Sequence, residues 1–336
     1  MRWFEQINKQ TLGHWPTPLE PLNRLSEELG GPQIWLKRDD CSGLLTGGNK
    51  TRKLEYLIAD ALTEHADTIV TFGAIQSNHA RQTAAACAKL GIECHLVLTR
   101  RVNWTSQNYE TNGNLILNEI CGAHIHIMNS EDAEKETKKL IEGLKSDDKS
   151  VYVIPPGGSN ATGALGYVSC AKELTEQLES KHLTNPILVH ASASAGTQSG
   201  LIFGFQCLGK DIETLGINVY HDDQENLIRR IQTVLSELCD TYHESNIARI
   251  PEALIRIDHG YLGQGYGIPS RKTIEAIQLA ASLEGIAFDP VYSGKALEAL
   301  IDKTILGDFD DYSDVILVHT GGAFALPVYQ EALTNR

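Results

Sequence analysis

Lys50 and Lys53 stand three residues apart in the run Gly47-Gly48-Asn49-Lys50-Thr51-Arg52-Lys53-Leu54. The two glycines open the backbone just ahead of a helix, so Lys50 can project from a helix start into a cleft. A lysine near a helix N-terminus and among other cations has its neutral amine favoured, which suits Schiff-base chemistry. A surface loop of solvated lysines is the competing reading of the same spacing. A second run, Gly73-Ala74-Ile75-Gln76-Ser77-Asn78-His79, follows a β-branched stretch and precedes a helical pattern. Catalytic groups concentrate on loops at the carboxyl ends of parallel strands, although Ser77 or Asn78 would equally serve as a helix N-cap. In the third run, Ala193-Ser194-Ala195-Gly196-Thr197-Gln198-Ser199-Gly200, small residues let backbone N–H groups converge on an anion at a helix N-terminus. It has neither the G-K-[ST] ending of a P-loop nor a G-x-G-x-x-G fingerprint, and a plain strand-to-helix turn would look the same. The fourth pairs Asp289-Pro290-Val291-Tyr292-Ser293-Gly294-Lys295 with His319-Thr320-Gly321-Gly322. An aromatic beside glycine and a hydroxyl just past a buried strand would fit the wall and floor of a planar cofactor's pocket.

No metal site is expected. His124 and His126 share one face of an expected strand, but no third ligand stands out, and H-E-x-x-H does not occur. The balance of 29 Lys and Arg against 43 Asp and Glu gives a formal charge of −14, which argues against nucleic acid and anionic membrane partners. No apolar stretch approaches the roughly 18 residues of a membrane span, residues 1–10 have no signal-peptide core, and a cytoplasmic protein is expected. Seven scattered cysteines without a C-x-x-C pair read as free thiols or small buried hydrophobes.

The elements that must position these residues follow from patterning. From residue 67 onward short β-branched runs alternate with helical ones, the signature of parallel sheets wrapped by helices. Strands are expected at 68–72, 94–98, 125–128 and 151–154, with helices at 78–90, 114–120 and 132–144 between them. The Pro155-Pro156-Gly157-Gly158 punctuation leads to a second α/β unit. It has strands at 187–190, 215–219 and 315–319 and helices at 161–179, 227–239, 272–283 and 294–305. The fold class is therefore α/β in two units, each an open, mostly parallel sheet flanked by helices.

Together these segments resemble the pyridoxal 5′-phosphate enzymes that include D-cysteine desulfhydrase and 1-aminocyclopropane-1-carboxylate deaminase, with the tryptophan-synthase-β-like fold (fold type II). The resemblance runs from Pro16-Thr17-Pro18 through Lys37-Arg38-Asp39-Asp40, G-G-N-K-T-R-K-L-E-Y and Q-S-N-H to Thr320-Gly321-Gly322, nearly the whole chain. It implies a larger cofactor-binding domain of residues 1–50 and 163–336, a smaller domain of residues 51–162, and a homodimer. It implies that Lys50 is bonded to the cofactor aldehyde, that Asn49 contacts the ring hydroxyl, and that Ser194, Ala195, Gly196 and Thr197 hold the phosphate, with Lys53 close by. Tyr292 resembles the aromatic stacked on the pyridine ring, and Thr320 the group facing its nitrogen. Ser77, Asn78 and His79 resemble the grip on a substrate carboxylate, and Tyr266 a further active-site tyrosine.

Three positions separate activities within this family. The cyclopropane deaminases carry glutamate directly after the stacking tyrosine, an apolar residue before the final Gly-Gly, and glutamine after Ser-Asn. This chain has Ser293, Thr320 and His79 there, as the desulfhydrase pattern does. The implied reaction is α,β-elimination on a small sulfur-containing amino acid, D-cysteine giving pyruvate, sulfide and ammonia, with Lys50, Ser77, Tyr266 and Tyr292 as the catalytic set. Rival readings are L-cysteate sulfo-lyase, which would release sulfite and use Arg100 and Arg101 if they face the cleft, and 1-aminocyclopropane-1-carboxylate deaminase. A rival of another class is an inactive small-molecule binding protein.

Overall fold

The computed structural model describes residues 1–245 and 247–334. The smaller of two sheets contains β3 (Thr68–Ala74), β4 (Glu93–Thr99), β5 (His124–Met128) and β6 (Val151–Ile154), in the order β5-β4-β3-β6 and parallel throughout. The larger contains β1 (Leu19–Pro21), β2 (Gln33–Lys37), β7 (Pro186–Ser192), β8 (Glu213–Asn218), β9 (Arg256–Asp258) and β10 (Asp314–Val318). Its order is β1-β2-β10-β7-β8-β9, and only the β1–β2 pair is antiparallel. The helices, in chain order, begin with α1 (Arg2–Glu5), α2 (Asn23–Leu29), α3 (Lys50–Thr63), α4 (Asn78–Leu90), α5 (Asn114–Ile120) and α6 (Ala133–Ser146). They continue with α7 (Ala161–Lys181), α8 (Gly196–Cys207), α9 (Gln224–Thr241), α10 (Arg271–Glu284) and α11 (Ser293–Ile305).

Every residue of β10 is buried, as is β7 from Pro186 to His190, so both read as continuous apolar runs rather than alternating ones. The expected elements from residue 68 onward form, with ends shifted by up to three residues. The N-terminal strands and β9 do not announce themselves in the sequence. β1 is three residues long with Pro21 in it, and β9 is equally short. β2 lies between β1 and β10 yet carries Gln33 and Lys37, polar residues that interrupt the apolar signal.

Lys37 is wholly buried because of a charge cluster at the root of α3. Arg52 donates from Nε and Nη2 to the two carboxylate oxygens of Asp39, at 2.9 and 2.8 Å, and from Nη1 to Glu173 Oε2 of α7 at 3.1 Å. Thr17 Oγ1 and Tyr167 OH also donate to Asp39, at 2.8 and 2.7 Å, and Lys37 closes the ring on Glu173 and Gln177. The Arg52 guanidinium lies over the Trp15 ring at 4.1 Å. Burial alone would raise the Asp39 pKa, but the Arg52 charge and hydrogen bonds, aided by Lys37, hold it below its ordinary value. A glycine completes the joint: a Cβ on Gly166 of α7 would lie 2.4 Å from the Arg52 carbonyl carbon, so only glycine lets α7 seat against the first turn of α3.

Replacing Arg52 with Met strands a buried carboxylate, and unfolding in urea should show a loss of about 3–5 kcal/mol at neutral pH. As pH falls into the carboxylate range the difference from the parent protein should narrow, because protonated Asp39 no longer needs a cation. A difference that stays constant with pH would show that the lost stability comes from packing instead.

Candidate active site

A cavity opens between the carboxyl ends of the two sheets, lined by residues from β3, β7 and the loops that follow them. Such crevices are where open parallel sheets place ligands. Lys50, the first residue of α3, enters it, and its Nζ donates to Asn49 Oδ1 at 3.1 Å. Desolvation in this recess pulls the Lys50 amine down to about 8, against the opposing charge of Asp289. An amine so placed has a substantial neutral fraction near neutral pH and can act as nucleophile or base. Asn49 is fixed at both ends: its N–H donates to the Thr320 carbonyl at 3.0 Å and its side chain reaches Thr197 Oγ1 at 3.4 Å.

The Ser77–His79 segment is a cap and a cavity wall at once. Ser77 Oγ accepts from Ala80 N–H at 3.1 Å and caps α4, leaving its own hydroxyl proton to donate. Asn78 Oδ1 accepts from Asn114 Nδ2 at 3.0 Å, which turns the Asn78 amide N–H groups into the donors still available. Thr71 gives its hydroxyl proton to the Ile154 carbonyl at 2.9 Å, so its oxygen accepts from His79 Nε2–H at 2.8 Å. That network assigns the tautomer and leaves His79 Nδ1 as a buried acceptor without a partner among the described residues. Burial, with the charges of Lys50 and Lys53, keeps His79 neutral.

On the opposite wall Ser194, Ala195 and Thr197 line the cavity at the N-terminus of α8. Ala195 has φ +76°, a costly backbone conformation for alanine of the kind that concentrates at ligand clamps. Lys53 and Gly196 do not line the cavity. Lys53 stands behind this loop, donating to the Gly157 carbonyl and Ser159 Oγ at 3.2 and 3.1 Å. A Cβ on Gly196 would come within 2.9 Å of Lys53 Nζ and 2.8 Å of Ser159 Oγ. Burial, then the Lys50 charge, lowers the Lys53 pKa strongly. An anion drawn to the α8 terminus would meet orphan N–H groups and a helix dipole, with the Lys53 amine behind them.

Tyr292, Tyr266 and Thr320 complete the lining, and the two tyrosine hydroxyls share a hydrogen bond. Burial pushes the Tyr266 hydroxyl up to about 12 and raises Tyr292 well above its ordinary value, so both keep their protons. The Tyr292 turn is moulded on Asp289, whose carboxylate accepts from the N–H groups of Val291, Tyr292 and Ser293 at 2.8–2.9 Å and from Ser293 Oγ at 2.5 Å. Asp289 was visible in the sequence only as a neighbour of Tyr292; its structural role depends on three backbone donors that no residue type reveals. Phe72, Pro156, Tyr220 and Arg230 also line the cavity without having stood out in the sequence. Of the arginine pair, Arg101 lines the cavity, tied to Thr99 Oγ1 at 2.7 Å and Tyr220 OH at 3.2 Å, whereas Arg100 pairs with Glu110.

Residues 10–321 match the family model described as pyridoxal-phosphate dependent enzyme. The chain belongs to that family. Its cofactor is pyridoxal phosphate, and a lysine recessed in a cavity opposite a helix N-terminus fits that group at both its aldehyde and its phosphate. Within the family the chain is 42% identical over 317 residues to D-cysteine desulfhydrase of Salmonella newport (strain SL254), covering 94% of each chain. Among solved structures, a homologue of 1-aminocyclopropane-1-carboxylate (ACC) deaminase superposes with a TM-score of 0.88 at 32% identity, over 99% of this chain and 97% of that one. A hydrogen sulfide-producing enzyme from Fusobacterium nucleatum shares the fold, with a TM-score of 0.62 at 16% identity, over 96% and 97% of the two chains. The expected fold type and family are thus those of the chain.

Asp289→Ala removes the acceptor for four donors in one turn. Urea unfolding should show a loss of about 1–3 kcal/mol for the buried donors left unmet. An unchanged midpoint would mean that the Tyr292 turn holds without its carboxylate.

Proposed function

We propose that the chain is a D-cysteine desulfhydrase, a cytoplasmic lyase that splits D-cysteine into sulfide, pyruvate and ammonia. The observation that carries the reading is the recessed Lys50 amine, drawn down to about 8, in the same cavity as the Ser77–Asn78 donors and the α8 N-terminus. The likeness to D-cysteine desulfhydrase over nearly the full chain supports the substrate. Free cysteines throughout the chain suit a reducing compartment.

In this reading Lys50 would hold the cofactor aldehyde, Asn49 its ring hydroxyl, Thr320 its ring nitrogen and residues 194–197 its phosphate, and the Tyr292 ring would offer the pyridine a face to stack on. Bound pyridoxal phosphate supplies an electron sink for the electrons of the Cα–H bond. Ser77 Oγ–H and the Asn78 amide fix the substrate carboxylate, which sets the Cα–H bond towards Lys50. Lys50, freed when the substrate amine displaces it from the aldehyde, would take the Cα proton as a neutral amine. The Cβ–S bond breaks, the Tyr266–Tyr292 hydroxyl pair stands as proton donor to the departing sulfur, and one water is consumed as the carbon skeleton becomes pyruvate and ammonia. Ser293 is engaged with Asp289 and buried, so it offers the cavity no acid or base in place of the deaminases' glutamate. Arg101 gives its Nε–H to Thr99 and one Nη1–H to Tyr220 and keeps three further N–H donors, so the L-cysteate reading is decided by the substrate test.

Incubation with D-cysteine, L-cysteine, L-cysteate and 1-aminocyclopropane-1-carboxylate tests the substrate: sulfide with pyruvate from D-cysteine is expected. Sulfite from L-cysteate, or keto acid from the cyclopropane alone, would overturn the assignment. The role of Lys50 has its own readout. Covalent uptake of pyridoxal phosphate by the apoprotein, trapped with borohydride, should be lost in Lys50→Ala and kept in Lys53→Ala. In the parent protein its rate should rise with pH through about 8, as the amine loses its proton. A rate that keeps rising towards the ordinary lysine range would mean that the recess does not tune the amine.

A further inference from the structure

The end of the smaller sheet remote from the cavity carries a second constellation. Parallel pairing of β4 with β5 sets His95 opposite His124 and Val97 opposite His126. Because strand side chains alternate, Glu93, His95, His124 and His126 all project from one face. Glu93 Oε1 lies 2.9 Å from His95 Nε2 and 3.6 Å from His124 Nε2, and the three ligand atoms lie within 4.8 Å of one another. Lys149 Nζ occupies the other carboxylate oxygen at 2.6 Å, which turns Oε1 towards the imidazoles. His126 Nε2 lies 3.0 Å from His95 Nδ1, on the far side of that ring.

We propose that Glu93 Oε1, His95 Nε2 and His124 Nε2 form a binding site for a borderline divalent transition metal of the zinc class, with His126 orienting His95 and a fourth position open to water. Ligand atoms around a tetrahedral centre with bonds of 2.0–2.2 Å stand about 3.4 Å apart, close to the two short separations here. His124, with its side chain 57% exposed, can turn its ring to close the third. Two imidazoles with one carboxylate select zinc, nickel or copper over calcium and magnesium. Without metal, His95 Nε2–H donates to Glu93 and His126 Nε2–H donates to His95 Nδ1. On binding, His95 moves its proton to Nδ1 and donates it to His126 Nε2, whose own proton moves to Nδ1, so none is lost. Such an outer hydrogen bond to a metal-bound imidazole is how these sites fix the ligand tautomer. The site ties edge strand β5 to β4 about 20 Å from the cavity, one strand length away, and takes no part in the elimination.

The test uses cofactor-loaded protein and ZnCl2 alone, by calorimetry and by thermal unfolding, followed by Co2+ spectroscopy. One equivalent should bind and raise the unfolding temperature, and His124→Ala or Glu93→Gln should weaken binding by about tenfold or more. The cobalt form should show the visible bands of a tetrahedral nitrogen–oxygen set without a thiolate band. Either variant suffices if the other fails to fold. Absence of saturable binding, binding unchanged in both folded variants, or a thiolate band from exposed Cys41 would overturn the proposal.

Discussion

The Arg52 fork on Asp39 is the constraint from which the rest of the site is built. Only Thr51 separates Arg52 from Lys50, so fixing one guanidinium fixes the first turn of α3 and the direction in which Lys50 leaves it. The fork joins three parts of the chain: Asp39 follows β2 of the larger sheet, Glu173 belongs to α7, and Arg52 rides on α3. A guanidinium suits this post because its planar array of donors meets two carboxylates at once in fixed geometry. Lysine there would keep the charge and lose the direction. The cluster need not add net stability to serve this purpose, since paired buried charges often do little better than apolar residues of equal volume. What it contributes is register between sheet, helix and the Lys50 amine.

With the root of α3 fixed, electrostatics in the cavity follows from what surrounds Lys50. The chain is strongly acidic overall, yet Lys50, Lys53 and His79 cluster here, and desolvation acts on all three against their charged forms. Asp289 opposes that trend at Lys50. Its carboxylate is already saturated by the Tyr292 turn, so it acts on the amine as a fixed charge and not as a proton acceptor. One buried carboxylate thus shapes the aromatic wall and moderates the amine it faces. The −14 charge describes the chain as a whole, whereas the cavity gathers a lysine amine and N–H donors.

The legible parts of the molecule were those encoded in short range. Smaller-sheet strands and helices from residue 68 to 154 could be read because each is a local period bounded by turn residues. The runs around Lys50, Ser77 and Ser194 could be read because glycine and small polar residues cluster just after strands. β1 and β2 could not, since β2 earns its place by pairing with β10 at the other end of the chain, Gln33 opposite Asp314. Lys37 within β2 looks like a reason against a buried strand until Glu173 and Gln177 are beside it. Tyr220 and the role of Asp289 escaped for the same reason: they rest on backbone donors and neighbours that only the folded chain supplies.

The same argument explains how Ser77 can cap a helix and face a ligand without conflict. A cap uses the lone pairs of the hydroxyl oxygen to accept from a backbone N–H and leaves the O–H proton unspent. The Ser77 oxygen is held by Ala80 N–H, so the direction of its remaining proton is narrowed before any ligand arrives. Asn78 is treated alike, its carbonyl tied to Asn114 and its amide left as donor. Each residue spends its acceptor on the fold and keeps its donor for the cavity. A carboxylate, which only accepts, is the kind of group such a pair of donors would suit, so capping and binding are compatible readings of Q-S-N-H.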